Sequence, residues 1–155
     1  TAHPVVIRIP SEVRPSVGEV EKDYGRLNRY QTVKRGEKVA VLGLGSFFAL
    51  GQRVVERLRE RGIEATLINP RYITGLDGEL LTSLKADHQL VATLEDGELD
   101  GGFGEKIARF FGNSNVKILN FGLKKEFIDR YNPADILKEN HLTKEQIVDD
   151  IFALN

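Results

Sequence analysis

The chain has 155 residues, 41% of them hydrophobic and 29% charged, enough for one domain with its own core. A formal net charge of −1 gives no electrostatic reason to expect nucleic acid or an anionic membrane as partner. Cysteine is absent, which removes disulfides, thiol catalysis and cysteine metal sites, and no apolar run approaches the roughly 20 residues that cross a bilayer.

Residues 4–9, Pro4-Val-Val-Ile-Arg-Ile9, read as a short buried strand closed by Pro10. Residues 10–27 scatter Pro10, Pro15 and Gly18 among charges and read as a linker or extended arm. A compact domain begins near residue 28. Residues 28–34 alternate as an edge strand does, and Arg35-Gly36-Glu37 makes a short turn of the kind that joins antiparallel neighbours as a tight hairpin. Lys38–Gly43 is a continuous apolar strand, the pattern of a strand covered on both faces.

Ser46–Arg61 carries the strongest helical period, with Phe47, Leu50, Val54, Val55 and Leu58 on one face and Gly62 placed to stop it. Glu64–Asn69 is a strand ended by Pro70, and Gly78–Ala86 a short helix turning Leu80, Leu81 and Leu84 inward. His88–Glu95 is a strand, Phe103–Phe111 a helix and Val116–Phe121 a strand. In the tail, Asn132-Pro133 sets a capping residue before a proline at the first helical position. Thr143-x-x-Gln146 has the spacing of a capping box, followed by Ile147, Val148, Ile151 and Phe152 on one face. The alternation of strand and helix predicts an α/β fold with a largely parallel sheet and helices on both sides.

The chemistry concentrates in residues 90–104. An apolar strand ends in Glu95 and Asp96, and after a short loop Gly101-Gly102-Phe103-Gly104 opens a helix. Strand ends of this kind are where open α/β sheets place functional groups. Neighbouring strand residues point to opposite faces, so the two carboxylates serve either as an acid/base pair or, in the reading geometry favours, as a cap or a partner for arginine. Arg71, just past another strand end, either clamps an anion or reaches Glu95 or Asp96. The glycine run allows close backbone approach to a ligand or to another subunit. Gly43-Leu44-Gly45-Ser46 joins a strand to a helix and could cradle phosphate. The third glycine of a dinucleotide fingerprint is replaced by Phe48, and no P-loop lysine follows. The loop therefore reads as a tight turn with Ser46 as cap. Arg8 is a cation inside an apolar strand, and Lys124-Lys125 reads as solvated surface. The histidines His3, His88 and His141 lack metal-ligand spacing. No nucleophile–base pair emerges.

Four blocks carry a resemblance. Ala65-Thr-Leu-Ile-Asn-Pro-Arg-Tyr-Ile-Thr-Gly-Leu-Asp-Gly-Glu-Leu-Leu81 resembles the "ATVxNxRFxKPLDxELL" stretch of the transketolase C-terminal domain, most like that of 1-deoxy-D-xylulose-5-phosphate synthases. Val91-Ala-Thr-Leu-Glu-Asp-Gly97 with Gly101-Gly-Phe-Gly104 resembles "VTVEEN…GGxG", and Val39-Ala-Val-Leu-Gly-Leu-Gly-Ser46 resembles "VAILxxGS". Val116-Lys-Ile-Leu-Asn-Phe-Gly-Leu-Lys-Lys-Glu-Phe-Ile128 resembles "VxxxGLPDxFI". Pro4–Pro10 resembles the end of the family's pyrimidine-binding domain, although the Tyr-Pro-Arg-Gly there is Ile9-Pro10-Ser11-Glu12 here.

The resemblance implies a three-layer α/β/α domain over residues 28–155, with a five-stranded, mostly parallel sheet and an antiparallel first strand at an edge. Residues 1–10 would end the preceding domain, and 11–27 would be the linker. The chain has no methionine and reads as a processed chain or a piece of a larger one, and the resemblance implies that the parent is a cytoplasmic, homodimeric transferase of isoprenoid biosynthesis. That enzyme would use thiamine diphosphate and magnesium, bound upstream, so this piece would be inactive alone and would bind neither. Its partners would be the upstream domains and a second subunit, with no nucleic acid and no membrane. Arg8 matches an arginine that contacts an acceptor phosphate. Arg71, Glu95, Asp96, Gly101, Gly102, Phe103 and Gly104 would form a domain or dimer interface, with an Arg71–carboxylate contact at its centre and no catalytic residue. The competing reading is a free-standing nucleotide- or phosphate-binding module built on Gly43–Ser46.

Overall fold

A computed structural model of the chain describes residues 3–7, 25–129 and 131–154. The elements run β1 (Gln31–Lys34), β2 (Lys38–Gly43), α1 (Phe48–Glu60), β3 (Thr66–Asn69), α2 (Gly78–Asp87), β4 (His88–Glu98), α3 (Phe103–Phe111), β5 (Lys117–Leu123), α4 (Pro133–Glu139) and α5 (Lys144–Leu154). They form a five-stranded sheet in the order β1-β3-β2-β4-β5. Only the β1–β3 pair is antiparallel. This is the expected three-layer α/β/α architecture with an antiparallel edge.

The central strand shows why the sheet has two covered faces. Val39 and Val41 of β2 join a cluster with Val54, Val55 and Leu58 of α1 and Ile147, Val148 and Ile151 of α5. Ala40 and Leu42, the alternate residues, join Leu81 and Leu84 of α2 and Phe103, Ile107 and Phe111 of α3 on the other side. Burying a Leu or Phe side chain contributes about 2 kcal/mol, so these two clusters dominate the stability of the domain.

Helix ends follow the local signals. Gly62 adopts φ +86°, and the amides of Gly62 and Ile63 bond back to Arg59 and Leu58, so α1 stops in the left-handed turn that glycine favours. Asn132 caps α4 with Pro133 as its first residue. The Thr143 hydroxyl meets both the backbone amide and the side chain of Gln146.

Several expectations are corrected. Pro4–Ile7 is not a strand, and Val5, Val6 and Ile7 are exposed. Its apolar residues have β propensity but no strand beside them among the described residues. Ile9 and residues 8–24 lie outside the described residues. The Arg35-Gly36 turn does not close a hairpin, because β1 pairs with β3 rather than β2. Gly36 and Glu37 instead bond to Thr66 and Glu64, and the chain passes across the start of β3 to reach its other side. A 3-10 turn over Gly45–Phe47 precedes α1 and shifts its phase. Phe48 is therefore the buried aromatic, and Phe47 is only half-buried. Phe152 is 40% exposed, its ring covered by the Arg61 guanidinium 4.1 Å from the centroid.

Asp77 is the buried anchor of the side where the chain enters the sheet. Its carboxylate accepts the Leu80 amide at 3.1 Å and so caps α2, and it accepts the Tyr30 amide at 3.0 Å. The Arg29 guanidinium approaches it at 3.2 Å. Burial, with the Asp77 charge nearby, pushes the Tyr30 phenol up to about 12. Among the chain's 4 tyrosines, Tyr30 should ionise last in an ultraviolet titration, and Tyr30→Phe should remove that late phase. Because the folded state holds this proton above the ordinary range near pH 10, stability should fall as pH rises from about 10 towards 12. Asp77→Ala should cost about 2 kcal/mol in urea denaturation, by leaving buried amides without an acceptor.

Candidate functional site

The strand order reverses between β2 and β4, because β2 leads through α1 to β3 on one side and β4 leads through α3 to β5 on the other. In open α/β sheets the crevice beyond such a switch is the preferred place for a ligand. Here it lies between the Gly43–Ser46 turn and the end of β4, and the amide of Leu44 closes on the carbonyl of Leu94 at 2.9 Å.

The carboxylates of the chain itself fill this crevice. Glu95 is 3% exposed, and its two oxygens accept the amides of Phe103 and Gly104, each at 2.8 Å. These are first-turn amides of α3, which have no partner within their own helix. A charged acceptor there is favoured by both hydrogen bonding and the helix dipole. Next to it, the Ser46 hydroxyl donates to Asp96 at 2.6 Å and ties the β2–α1 turn to the β4 end. Ser46 is thus not the expected cap, and α1 carries no side-chain cap.

Glycines fit around this carboxylate. A Cβ on Gly102 would stand 2.7 Å from both Glu95 oxygens, and one on Gly104 would meet Asn120 and Thr93 within 2.8 Å. Thr93 and Asn120, which the sequence did not single out, are joined by a 2.8 Å hydrogen bond behind α3. The close approach that the glycine run permits is therefore to its own domain. Glu95, Phe103 and Gly104 are buried within that domain, while Asp96 and Gly101 stand on the surface. The strand expected to end at Glu95 continues to Glu98, bulging against β5 between Leu94 and Glu98.

Arg71 does not reach these groups. Strand β2 lies between β3 and β4, so their ends are two spacings apart, about 10 Å. The Arg71 guanidinium instead donates through Nε and Nη2 to the Arg29 carbonyl, at 3.2 and 2.9 Å. The predicted contact of Arg71 with Glu95 or Asp96 is not made, because strands adjacent along the chain are not adjacent in this sheet. Arg8 lies outside the described residues.

A second polar cluster, also missed, sits at the opposite end of the sheet. The buried His88 ring lies between Asp87, 2.6 Å from Nδ1, and Thr66, 2.8 Å from Nε2. Arg35 pairs with the same Asp87 at 2.6 Å. Burial pushes the Asp87 carboxyl up, but His88 and Arg35 together outweigh it and hold it below the usual range. No period or motif marks these residues. Asp77, by contrast, precedes the predicted α2 and has the residue type of a cap.

No group of three or more His, Asp or Glu that could hold a metal ion occurs among the described residues. The crevice does not suit a magnesium diphosphate. An anion needs cations and open amides, whereas two amides of α3 are taken by Glu95 and Asp96 adds negative charge beside Ser46. No helix among the described residues is long and apolar enough to cross a membrane.

Comparison with known proteins matches residues 28–147 to the family model described as "Transketolase, C-terminal domain". Among curated relatives, the 1-deoxy-D-xylulose-5-phosphate synthase of Gloeothece citriformis is 31% identical over 98% of this chain and 25% of its own length. That of Alkaliphilus oremlandii is 34% identical over 77% of this chain and 20% of its length. The chain thus spans about a quarter of the length of these relatives. A solved structure described as a split gene transketolase, inactive beta4 tetramer, superposes with a TM-score of 0.77 at 21% identity, covering 90% of this chain and 45% of that one. A transketolase from Pichia stipitis superposes with a TM-score of 0.57 at 16% identity, over 82% of this chain and 18% of that one.

Glu95→Ala should lower stability by about 3 kcal/mol, since it leaves two buried amides unpaired at roughly 1–3 each. Glu95→Gln, which keeps one carbonyl acceptor, should lose less. Urea denaturation of the two variants orders these losses, and equal losses would mean that the cap is not what Glu95 supplies.

Proposed function

The chain belongs to the transketolase C-terminal domain family, and we propose that it is the assembly domain of a larger thiamine-diphosphate enzyme of the 1-deoxy-D-xylulose-5-phosphate synthase type. The observation that carries this reading is the match of nearly the whole chain to a quarter of such synthases. The parent enzyme joins a two-carbon unit from pyruvate to glyceraldehyde 3-phosphate, releasing carbon dioxide, in the cytoplasm. Thiamine diphosphate and magnesium, held by upstream domains, supply the carbanion chemistry. The residues described here supply position. Arg8, outside the described residues, is proposed to contact the acceptor phosphate.

In this proposal the end of the sheet that holds Asp96, Gly101, Gly102 and Arg71 faces the upstream domain or a second subunit. The path of the chain supports it. Strand β1 begins with Gln31 opposite Asn69, the last residue of β3, so the chain enters at the same end as the crevice. That approach is fixed by the bond from Thr74 to Asn28, by Arg29 with Asp77 and Glu79, and by the Tyr30 amide on Asp77. Buried Glu95, Phe103 and Gly104 act from behind, by holding the α3 turn rigid. The solved neighbour described as a split gene transketolase is an inactive beta4 tetramer, which agrees with self-association as part of this role.

Two measurements test the reading. In the full-length enzyme, Arg71→Ala should weaken subunit or domain association several-fold and leave the shape of the pH–rate profile unchanged. Loss of one limb of that profile with assembly intact would make the edge catalytic and defeat the proposal. Titration calorimetry of the 155-residue chain with ATP or NAD should give no binding heat. Micromolar affinity for either would favour a nucleotide module at Gly43–Ser46 instead.

A further inference from the structure

The buried His88 ring is an ionisable group for which the crevice at the other end of the sheet has no use. It joins three parts of the chain. Nδ1 lies 2.6 Å from Asp87, the last residue of α2, and Nε2 lies 2.8 Å from the hydroxyl of Thr66, the first residue of β3. That hydroxyl accepts the Gly36 amide at 2.9 Å and lies 3.0 Å from the Gly36 carbonyl oxygen. Aspartate, histidine and a hydroxyl in series resemble a nucleophile triad. Thr66 is fully buried and His88 nearly so, however, so no substrate reaches this hydroxyl. The segment it holds is tight. A Cβ on Gly36 would collide with the Glu64 carbonyl oxygen. Lys38, two residues on, has left-handed backbone at φ +64°, and the β2–β4 register is irregular between Lys38 and Val39.

We propose that His88 is a proton-operated latch on the segment that crosses from β1 to β2, closed when Nε2 carries a proton and released when it does not. The hydrogens available allow two arrangements. Despite its burial, the Asp87 carboxyl is held below the usual range by His88 and Arg35. It is therefore an acceptor only, and Nδ1 carries a hydrogen. Thr66 has a single hydroxyl hydrogen. When Nε2 is bare, it takes that hydrogen, and the Gly36 carbonyl receives none from Thr66. When Nε2 is protonated, it donates to the Thr66 oxygen and the hydroxyl hydrogen turns to the Gly36 carbonyl. Both backbone polar groups of Gly36 are then bonded to Thr66. The charged groups around the ring are few. Asp87 touches it and favours the imidazolium. Arg35, 2.6 Å from the same carboxylate, and Lys38, opposite His88 in the β2–β4 register, oppose it. Glu64, just before β3, is paired with Lys34, and Lys85 of α2 lies over the Phe110 and Phe111 rings. The latch makes the hold on the edge strand β1 depend on pH over the range in which histidine exchanges its proton. It stands apart from the parent-enzyme reading and uses none of its residues.

Nuclear magnetic resonance of the isotope-labelled 155-residue chain tests this directly. In a scan from about pH 5 to 8, the His88 ring nitrogens, the Gly36 carbonyl carbon and the Glu37 amide nitrogen beside it should shift together with one midpoint. Thr66→Val keeps the side-chain shape and removes the hydroxyl, so the Gly36 shift should vanish while His88 still changes its proton. Thr66→Ser keeps the hydroxyl and should retain the shift, and it serves where loss of the hydroxyl prevents folding. His88→Gln should leave the Gly36 carbonyl signal constant over the same range. A His88 ring that keeps one protonation state throughout the scan overturns the inference. So does a ring that changes state without moving Gly36, or a Gly36 shift that persists in His88→Gln, since another group would then be its source.

Discussion

The Glu95 carboxylate is the interaction around which the functional end of this domain is organised. It is an anion placed at the N-terminus of α3, held by two amides at 2.8 Å and shielded from water. An unpaired charge in that position would cost several kcal/mol, so the surrounding backbone must come close enough to bond it. Gly102 and Gly104 allow this on one side. Gly122 of β5 allows it on the other, where a Cβ would stand 3.1 Å from the Glu95 Cγ. The end of β4, the first turn of α3 and the end of β5 thus form one unit whose spacing a single side chain sets. The Ser46–Asp96 bond extends that unit to the β2–α1 turn.

The neighbouring end of β3 is held by different means. Asn28 and Arg71 both have left-handed backbone, each at φ +61°, a conformation that costs a side-chain-bearing residue of order 1 kcal/mol or more. Bonds between them and their surroundings offset the strain. Asn28 accepts the Thr74 hydroxyl, and Arg71 donates twice to the Arg29 carbonyl and once, through its own amide, to Asn69. Asp77 then couples this knot to α2. Two of the four non-glycine residues with left-handed backbone among the described residues thus flank the place where the chain enters the sheet, the others being Lys38 and His141.

The chain carries two kinds of information. Elements with a strong period or a terminal signal were legible: β2 by its continuous apolar run, α3 by its amphipathic face, α4 by Asn132-Pro133, and the stop of α1 at Gly62. Family resemblance supplied the antiparallel edge. What failed was pairing. Neither the place of β2 between β3 and β4 nor the path of Gly36 across β3 is written in local residue types, so proximity along the chain points to a hairpin and to an Arg71 contact with Glu95 or Asp96 that the sheet order does not allow. The polar networks failed for a related reason. Thr66 and His88 are 22 residues apart, and Thr93 and Asn120 are 27 apart. Only a sheet register brings such pairs together. The capping role of Glu95 was legible as one of the favoured readings, because a carboxylate at a strand end before a helix start faces amides that lack a partner in their own helix.

That cap also makes the crevice a poor site for phosphate by the usual route. A phosphate at the mouth of a βα turn is stabilised by open amides and a positive helix end. In this chain Glu95 already occupies the amides of α3, and Asp96 takes the hydroxyl of the Gly43–Ser46 turn. Both the donors and the favourable potential that a phosphate would need are spent on the domain's own carboxylates. Phe48 then fills the position where a third glycine would let the helix approach a dinucleotide, and it is buried in the core. The same internal bonds also tie the crevice together, because each carboxylate joins two elements. A rigid, self-satisfied strand edge of this kind matches the constant geometry that the proposed assembly role requires of it.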